Sequence, residues 1–181
     1  MGLNTESVVT AAVDLVDLDG FDSLSLSSLA QRLGIRVPSL YKHIDGIDDL
    51  KQRISEKAKL DLYGKLEAAA LDRYGVAAFR AVATAYRDFA IQYPGRFDAA
   101  GYKARLSTLP TISPSLERVA EECGIPTEHA ARTVQALRAS MRGLLALQVE
   151  TTPELSGTVY ESLLDLLEAG LVNFTVYTAN R

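Results

Sequence analysis

The sequence holds little of what builds disulfides, metal sites or membrane spans. Cys123 is the only cysteine in 181 residues, so the chain cannot form an internal disulfide and suits a reducing compartment. His43 and His129 have no His or Cys at ligand spacing, which argues against a zinc site. The uncharged run of residues 169–180 is too short to cross a bilayer, and no secretion signal begins the chain. We therefore expect a cytoplasmic protein with no membrane partner and no metal.

Basic residues are also in short supply. The chain has 19 Lys and Arg against 23 Asp and Glu, a formal net charge of −4. Indiscriminate nucleic-acid binding depends on neutralising many phosphates, and this balance argues against it. Residues 1–50 are more acidic still, since eight acids face only Arg32, Arg36 and Lys42. Any contact with DNA has to come from a local patch.

Helical periodicity is what the sequence does have. Apolar residues recur at intervals of three and four along most of the chain, and no alternation long enough for a strand and no internal repeat occurs. The pattern predicts an all-α fold. Helices are expected from Asn4 or Thr5 to Gly20, from Ser25 to Gly34, from Pro38 to Ile44, from about Asp45 to Leu71, and over residues 76–92, 115–123, 127–149 and 157–178, with a loop over 104–114.

Residues 25–44 form two short helical segments separated by Gly34. A glycine there can take the positive φ that a tight turn needs, and Pro38 suits a first helical turn because its missing N–H would have no partner anyway. This is the pattern of a helix-turn-helix, whose second helix enters the major groove of DNA. The same hairpin also occurs in all-α proteins that bind no DNA, so spacing alone leaves both interpretations open.

Candidate DNA contacts lie on the second of these helices and at the start of the first. Residues 23–44 carry basic side chains and no acidic one, so the stretch is a local cationic patch. Basic side chains suit guanine edges and phosphates, hydroxyls donate to phosphate oxygens, and apolar groups contact thymine methyls. Tyr41 is expected to be half-buried with its hydroxyl outward. The predicted contacts are Ser25, Ser27, Ser28, Arg36, Val37, Pro38, Ser39, Tyr41, Lys42 and His43.

The stretch SLSSLAQRLGIRVPSLYKHIDGIDDL, preceded by LVDLDGFDSL, resembles the head of tetracycline-repressor (TetR) family regulators. The resemblance covers about residues 4–50. It implies a DNA-binding head over residues 1–46 and a helical effector-binding and dimerisation domain over residues 47–181. It also implies base-edge contacts by Ser27, Val37, Pro38 and Tyr41, and phosphate contacts by Ser39, Lys42 and His43.

The chain departs from that family at two points of its head. It lacks the basic N-terminal arm that many relatives carry, and Ile47 stands where a phosphate-binding lysine is common. Two later segments, AYRDFAIQYPGRFDAAGY and LRASMRGLLALQ, resemble the subgroup whose C-terminal domain is named after a Trp-His-Gly motif. Met141, Arg142 and Gly143 occupy that motif, so only its glycine is kept.

Aromatic residues cluster early in the larger domain, and two arginines lie on a later helix. Such a set could line a pocket for a flat or anionic small molecule, with core packing as the alternative role of each aromatic. The predicted lining is Phe79, Tyr86, Phe89, Tyr93, Phe97, Tyr102, Arg138, Met141 and Arg142.

Residues 157–178 are apolar around most of a helix, except for one narrow stripe of Glu161, Asp165 and Glu168. Such a helix is buried on two sides, either against a core and a partner subunit or within the core of a monomer. With residues 127–149 it predicts a four-helix homodimer interface, which would supply two heads for a palindromic site. The predicted interface residues are Leu144, Leu145, Tyr160, Leu163, Leu167, Leu171 and Phe174.

The sequence favours a dimeric DNA-binding regulator, most often a repressor, that a small-molecule effector releases from a palindromic operator. The alternative is an interaction protein that keeps the fold but has lost operator binding, which the acidic head favours. The sequence shows no nucleophile–base pair, metal-ligand set or phosphate loop, so neither an enzyme nor a cofactor is expected.

Overall fold

The computed structural model describes residues 3–102, 114–148 and 158–170, and the regular structure in these ranges is α-helical, as predicted. Residues 158–170 are the described part of α9, so the remainder of that predicted helix and the predicted loop lie largely outside the described residues. The other helices are α1 (Thr5–Asp19), α2 (Leu26–Leu33), α3 (Val37–Leu40), α4 (Ile47–Ala70), α5 (Gly75–Gln92), α6 (Pro94–Gly101), α7 (Pro114–Glu122) and α8 (Thr127–Gln148).

The chain divides into two compact units. Unit 1 comprises residues 1–64 and 89–110, and unit 2 comprises residues 65–88 and 111–181. Helices α4 and α5 each begin in one unit and end in the other. The predicted boundary after residue 46 concerns function rather than compactness, and it stays a prediction.

Short-range hydrogen bonds start and stop the first helices where the sequence predicted. Asn4 caps α1, its side chain accepting from the backbone N–H of Ser7 at 2.7 Å. Ser25 caps α2 in the same way, accepting from Ser28 N–H at 3.1 Å. Gly34 ends α2 in the left-handed region, with φ of 66°. These groups satisfy helix-end N–H and C=O groups that would otherwise be unpaired.

Apolar stripes on α1 and α4 form much of the core of unit 1. Burying a side chain such as Val, Leu or Ile stabilises a fold by about 1.5–3 kcal/mol, so these stripes are a main source of stability. The α1 stripe is Val8, Val9, Ala12, Val13, Leu15 and Val16. The α4 stripe predicted from the sequence is buried throughout: Leu50, Ile54, Ala58, Leu62 and, past the unit boundary, Leu66.

The sequence pattern did not predict α6. The stretch YPGRF indicates only the end of α5, yet α6 begins inside it, with Pro94 in its first turn. A helix of eight residues is too short to be stable on propensity alone, so packing on α1 has to supply its stability. That packing involves residues distant in sequence, which is why periodicity did not reveal the helix.

Gly95 lies where α6 crosses α1 very closely. A Cβ at this position would be 1.8 Å from the carbonyl oxygen of Val16. Next to the crossing, the backbone N–H of Arg96 donates to the Asp17 carboxylate at 2.9 Å. The Arg96 guanidinium also lies near three carboxylates of unit 1: Asp17 at 2.6 Å, Asp61 at 3.3 Å and Asp14 at 3.5 Å. Close backbone packing and this ion-pair cluster together fix α6 on α1.

Replacing Gly95 by Ala should destabilise the protein by about 1–3 kcal/mol, because α6 has to move away from α1 to make room. Gly64, inside α4, has nothing within 4 Å of its Cβ position. Gly64→Ala should therefore raise the free energy of unfolding by about 0.5–1 kcal/mol. Chemical denaturation of both variants measures the contrast, and equal stabilities would contradict the close crossing of α6 and α1.

Candidate nucleic-acid interface and ligand cavity

In unit 1, α2 and α3 form the predicted helix-turn-helix around a small core. The backbone N–H of Ile35 donates to the carbonyl of Ala30 at 3.0 Å, which closes the turn. Leu29 and Leu40 are fully buried and Ile44 is 2% exposed, so each helix contributes to the core. The helix α3 is shorter than predicted. After Leu40 it continues as a turn in which His43 N–H and Ile44 N–H both donate to the Leu40 carbonyl, at 2.8 and 3.1 Å.

Most of the residues predicted to contact DNA, from Arg36 to His43, lie on this short helix and the turn that follows it. Arg36, Pro38 and Lys42 are exposed, while Val37, Ser39 and His43 are half-buried. Tyr41 is 57% exposed, more than the half-buried position expected from the sequence. Leu40 and Ile44 occupy the buried side of the turn, so the Tyr41 ring is left at the surface. The structure therefore brings residues 36–39 and 41–43 together on one surface, which we call the reading surface.

The serines at the start of α2 divide into two kinds. Ser25 and Ser28 form a reciprocal capping box, in which Ser28 Oγ also donates to the Ser25 carbonyl at 2.9 Å. Ser27 is exposed, and within the described part of the chain no hydrogen bond to its side chain is found. Of the three predicted contact serines at the start of α2, two thus already have a structural role.

An acidic side chain near the reading surface is neutralised locally. Asp49, in the first turn of α4, accepts from the backbone N–H of Asp45 at 3.0 Å and from Arg53 Nε at 2.9 Å. Partial burial tends to raise the pKa of Asp49, but the hydrogen bonds from Arg53 and Asp45 outweigh it and hold the pKa below its usual value. The head is therefore less repulsive to phosphate than its count of acids indicates.

Unit 2 contains a cavity among α5, α7 and α8. It holds about 480 Å³ not filled by protein atoms, its open mouth included. Among the lining residues within the described ranges, Arg138 is the one that carries a charge, and none is acidic. The lining comprises Phe79, Val82, Ala83 and Tyr86 from α5, Leu116, Val119, Ala120 and Cys123 from α7 and its end, and Val134, Leu137, Arg138 and Met141 from α8.

The predicted pocket is only partly assembled. Phe79, Tyr86, Arg138 and Met141 line the cavity, and Arg142 does not. The remaining predicted aromatics fall in unit 1. Phe89 packs on Tyr93 and Tyr102 packs on Phe21, each pair with ring centroids 5.4 Å apart, and Phe97 is buried. Since α5 leaves unit 2 after residue 88, neighbours in sequence come to line different cores.

The buried face of α9 packs on α5. Tyr160 is fully buried, and its hydroxyl donates to the carbonyl of Ala83 at 2.5 Å. Burial raises the pKa of this hydroxyl well above its ordinary value. The guanidinium of Arg87 lies over the Tyr160 ring, 4.6 Å from its centroid. Arg80 forms ion pairs with all three acids of the predicted polar stripe, Glu161, Asp165 and Glu168.

These contacts correct part of the predicted dimer interface. Tyr160 and Leu145 are buried within the protomer, at 0% and 9% exposure, so they offer no surface to a partner. Leu144, Leu163 and Leu167 are half-buried, whereas Leu171 and Phe174 lie outside the described residues. The exposed apolar side chains of α9 are Val159, at 42%, and Leu166, at 71%.

Residues 3–102, 114–148 and 158–170 contain no group of three or more His, Cys, Asp or Glu side chains that could hold a metal ion. Their helices also include none with the length and apolar character needed to cross a bilayer.

Known proteins resemble this chain in sequence. No family model matches it. It is 28% identical over 168 residues to YobS of Bacillus subtilis (strain 168), named as an uncharacterized helix-turn-helix transcriptional regulator, with 90% of this chain and 88% of YobS covered. It is 50% identical over 42 residues to the class D tetracycline repressor protein of Escherichia coli, with 23% of this chain and 19% of that protein covered.

A solved structure matches almost the whole chain. A TetR variant from Acinetobacter baumannii AYE in complex with minocycline aligns with a TM-score of 0.72 and 19% identity, covering 96% of this chain and 99% of that one. The chain has the TetR fold. The names of the relatives and the structural neighbours together support the TetR family of transcriptional regulators. The proteins that this TetR-like chain resembles are regulators rather than enzymes.

Serine substitutions should separate the caps from the exposed surface. Ser25→Ala should lower the free energy of unfolding by about 1 kcal/mol, because the start of α2 loses its cap. Ser27→Ala, a matched change two residues away, should alter stability by less than about 0.5 kcal/mol. Thermal or chemical denaturation compares the two. A cost for Ser27→Ala equal to that for Ser25→Ala would contradict the assignment of Ser25 as the cap.

Proposed function

We propose that this protein is a DNA-binding transcriptional regulator that binds a palindromic operator as a homodimer and releases it when a small molecule occupies unit 2. The observation that best supports this proposal is the reading surface, where Arg36, Tyr41 and Lys42 are exposed on the second half of a helix-turn-helix. The fold around it is of the TetR type. Repression is the expected outcome, because a bound dimer blocks access to the DNA beneath it.

The chemistry of the reading surface suits a major groove. Arg36 and Lys42 can meet guanine edges or phosphates, and the exposed Tyr41 hydroxyl can donate to a phosphate oxygen. Val37 and Pro38 can contact a thymine methyl. With only two or three basic side chains in each head, phosphate neutralisation is limited, and affinity should depend strongly on shape and hydrogen bonding.

The exposed stripe of α9 supports the homodimer. Val159, Leu163 and Leu166 follow at i, i+4 and i+7, so they share one side of the helix. Arg80 of the same protomer pairs with the acidic stripe, in which Glu161 and Asp165 stay more than half exposed. The apolar side lies across the helix from that stripe and faces outward. On α8, small side chains are exposed and would let a partner helix approach closely: Ala136, Ala139, Gly143 and Ala146.

The cavity of unit 2 supports the response to a ligand. Its lining includes Phe79, Val82, Ala83 and Tyr86 of α5, and α5 continues along the chain into unit 1. A ligand that favours one arrangement of α5 would shift the population of head arrangements and so change the affinity for DNA. The minocycline complex of the A. baumannii protein belongs to a chain of the same fold, which adds support.

Three narrower points also remain proposals. A DNA-binding regulator works beside the chromosome, which agrees with the expected cytoplasmic location. Membership of the Trp-His-Gly subgroup rests on the segments AYRDFAIQYPGRFDAAGY and LRASMRGLLALQ, and at the motif itself only Gly143 matches. The second candidate function, a TetR-like interaction protein without operator binding, is favoured by the eight acids of residues 1–50.

Selection from a random pool of DNA duplexes should enrich a palindrome. With two or three basic contacts per head, the logarithm of affinity should fall against the logarithm of salt concentration with a slope of about −4 to −5. Lys42→Ala should weaken binding to all sequences and reduce the magnitude of the slope by about 2, one unit per head. Tyr41→Phe should weaken specific binding, because one hydroxyl hydrogen bond per head is lost.

Lys65→Ala is the matched control for the DNA measurements, since Lys65 is exposed on α4 outside the reading surface. It should leave the slope and the affinity close to those of the unmodified protein. The absence of any enriched palindrome, or equal slopes for Lys42→Ala and Lys65→Ala, would favour the interaction protein instead.

The homodimer should depend on the exposed stripe of α9. Leu166→Glu places a charge among apolar groups at the proposed interface and should shift the protein toward the monomer at micromolar concentration. Leu71→Glu is the control, because Leu71 is 67% exposed and lies outside that stripe. Sedimentation velocity measures both. The dimer proposal would be wrong if the unmodified protein sediments as a monomer, or if the two variants sediment identically.

A further inference from the structure

The cavity of unit 2 has a mostly apolar lining with one basic side chain. Nine of the twelve lining residues that the structure describes carry only carbon or thioether side chains. The other three are Tyr86, Cys123 and Arg138. Among the residues of the lining that the structure describes none is acidic, so there a ligand would meet the positive group of Arg138 and no carboxylate.

This lining disfavours a cationic ligand. An ammonium group moved from water into an apolar cavity loses its hydration, and the loss is offset only by an anion or by several hydrogen bonds. The described lining offers no carboxylate, and Arg138 would repel the cation. A strongly polar neutral ligand would also lose more hydrogen bonds to water than the two polar uncharged side chains of the lining can replace.

The anionic end of a ligand could form an ion pair with Arg138. This residue lies on α8 between Val134 and Met141, both in the cavity wall, and it is half-buried. An arginine in such a position packs its aliphatic stem on apolar groups and keeps its guanidinium toward water. The guanidinium carries five N–H donors, so it can retain its contacts within the protein and still bind a carboxylate.

We propose that the cavity binds a compact apolar acid, with its hydrocarbon body among α5, α7 and α8 and its carboxylate against Arg138. The proposal rests on the proposed function only in taking this ligand as the effector. Binding itself is measurable on the full chain without DNA, so the two can fail separately.

Three probes that share a phenylalkyl group but differ in charge test the preference for an acid. They are hydrocinnamate, its amide, and phenylpropylamine. Isothermal calorimetry on the full chain should show binding of hydrocinnamate, at least about tenfold weaker binding of the amide, and no binding of the amine. Arg138→Gln should reduce hydrocinnamate affinity to that of the amide. Arg132→Gln is the control, because Arg132 is exposed on the same helix and hydrogen-bonds to His129 Nδ1 at 2.8 Å.

Cys123 reports independently on where the probe lies. It is 8% exposed in the cavity wall, and burial, with a smaller effect of Glu122, raises the pKa of its thiol. Since the thiolate is the reactive form, alkylation by iodoacetamide should already be slow in the folded protein. Saturating hydrocinnamate should slow it several-fold further, and Arg138→Gln should remove that protection at the same probe concentration.

Several outcomes would overturn the proposal. These are equal affinity for the amine and the acid, unchanged hydrocinnamate binding in Arg138→Gln, no binding at millimolar hydrocinnamate, or bound probe without protection of Cys123. A protein that selects an operator but behaves in one of these ways retains the proposed function and loses this inference. A protein that binds hydrocinnamate as expected but enriches no operator would retain this inference and lose the proposed function.

Discussion

The ion pairs between Arg80 and the acidic stripe of α9 determine which surfaces unit 2 leaves for other molecules. All three acids of the stripe pair with Arg80, which fixes the rotation of α9 on its own protomer. The side of α9 turned inward holds the buried Tyr160 and Leu164. The pairs are partly exposed, so screening limits their energy, and their main effect is orientation. Buried Tyr160, bonded to the Ala83 carbonyl, supplies the apolar contact that holds the same arrangement.

Two consequences follow on opposite sides of that contact. On α9, the apolar stripe containing Leu166 faces outward, which is the arrangement that association with a second subunit requires. On α5, Ala83 belongs both to the Tyr160 hydrogen bond and to the cavity wall. A ligand that displaces α5 therefore acts on the same segment that positions α9. Cavity and proposed interface are thus linked through one helix.

The head is rich in acids, which would repel DNA phosphates, but several of these acids are paired with arginines. Its acids outnumber its bases, yet Asp49 is bonded to Arg53 and Asp14 and Asp17 pair with Arg96. These acids therefore act within unit 1, and the reading surface remains free of acidic side chains from Arg36 to His43. The small number of bases also means that the proposed DNA recognition has to rely on hydrogen bonds and shape.

The sequence by itself determined the features whose partners lie within a few residues. Asn4 and Ser25 cap helices three positions away, Gly34 closes a turn at its own position, and the spacing of Leu50 to Leu66 determines one helix face. The tertiary structure alone decided the existence of α6, the division of the aromatic cluster and the burial of Tyr160. Tyr160 meets Ala83 across 77 positions and Arg80 meets Glu168 across 88, and helical periodicity carries no information about pairings at such distances.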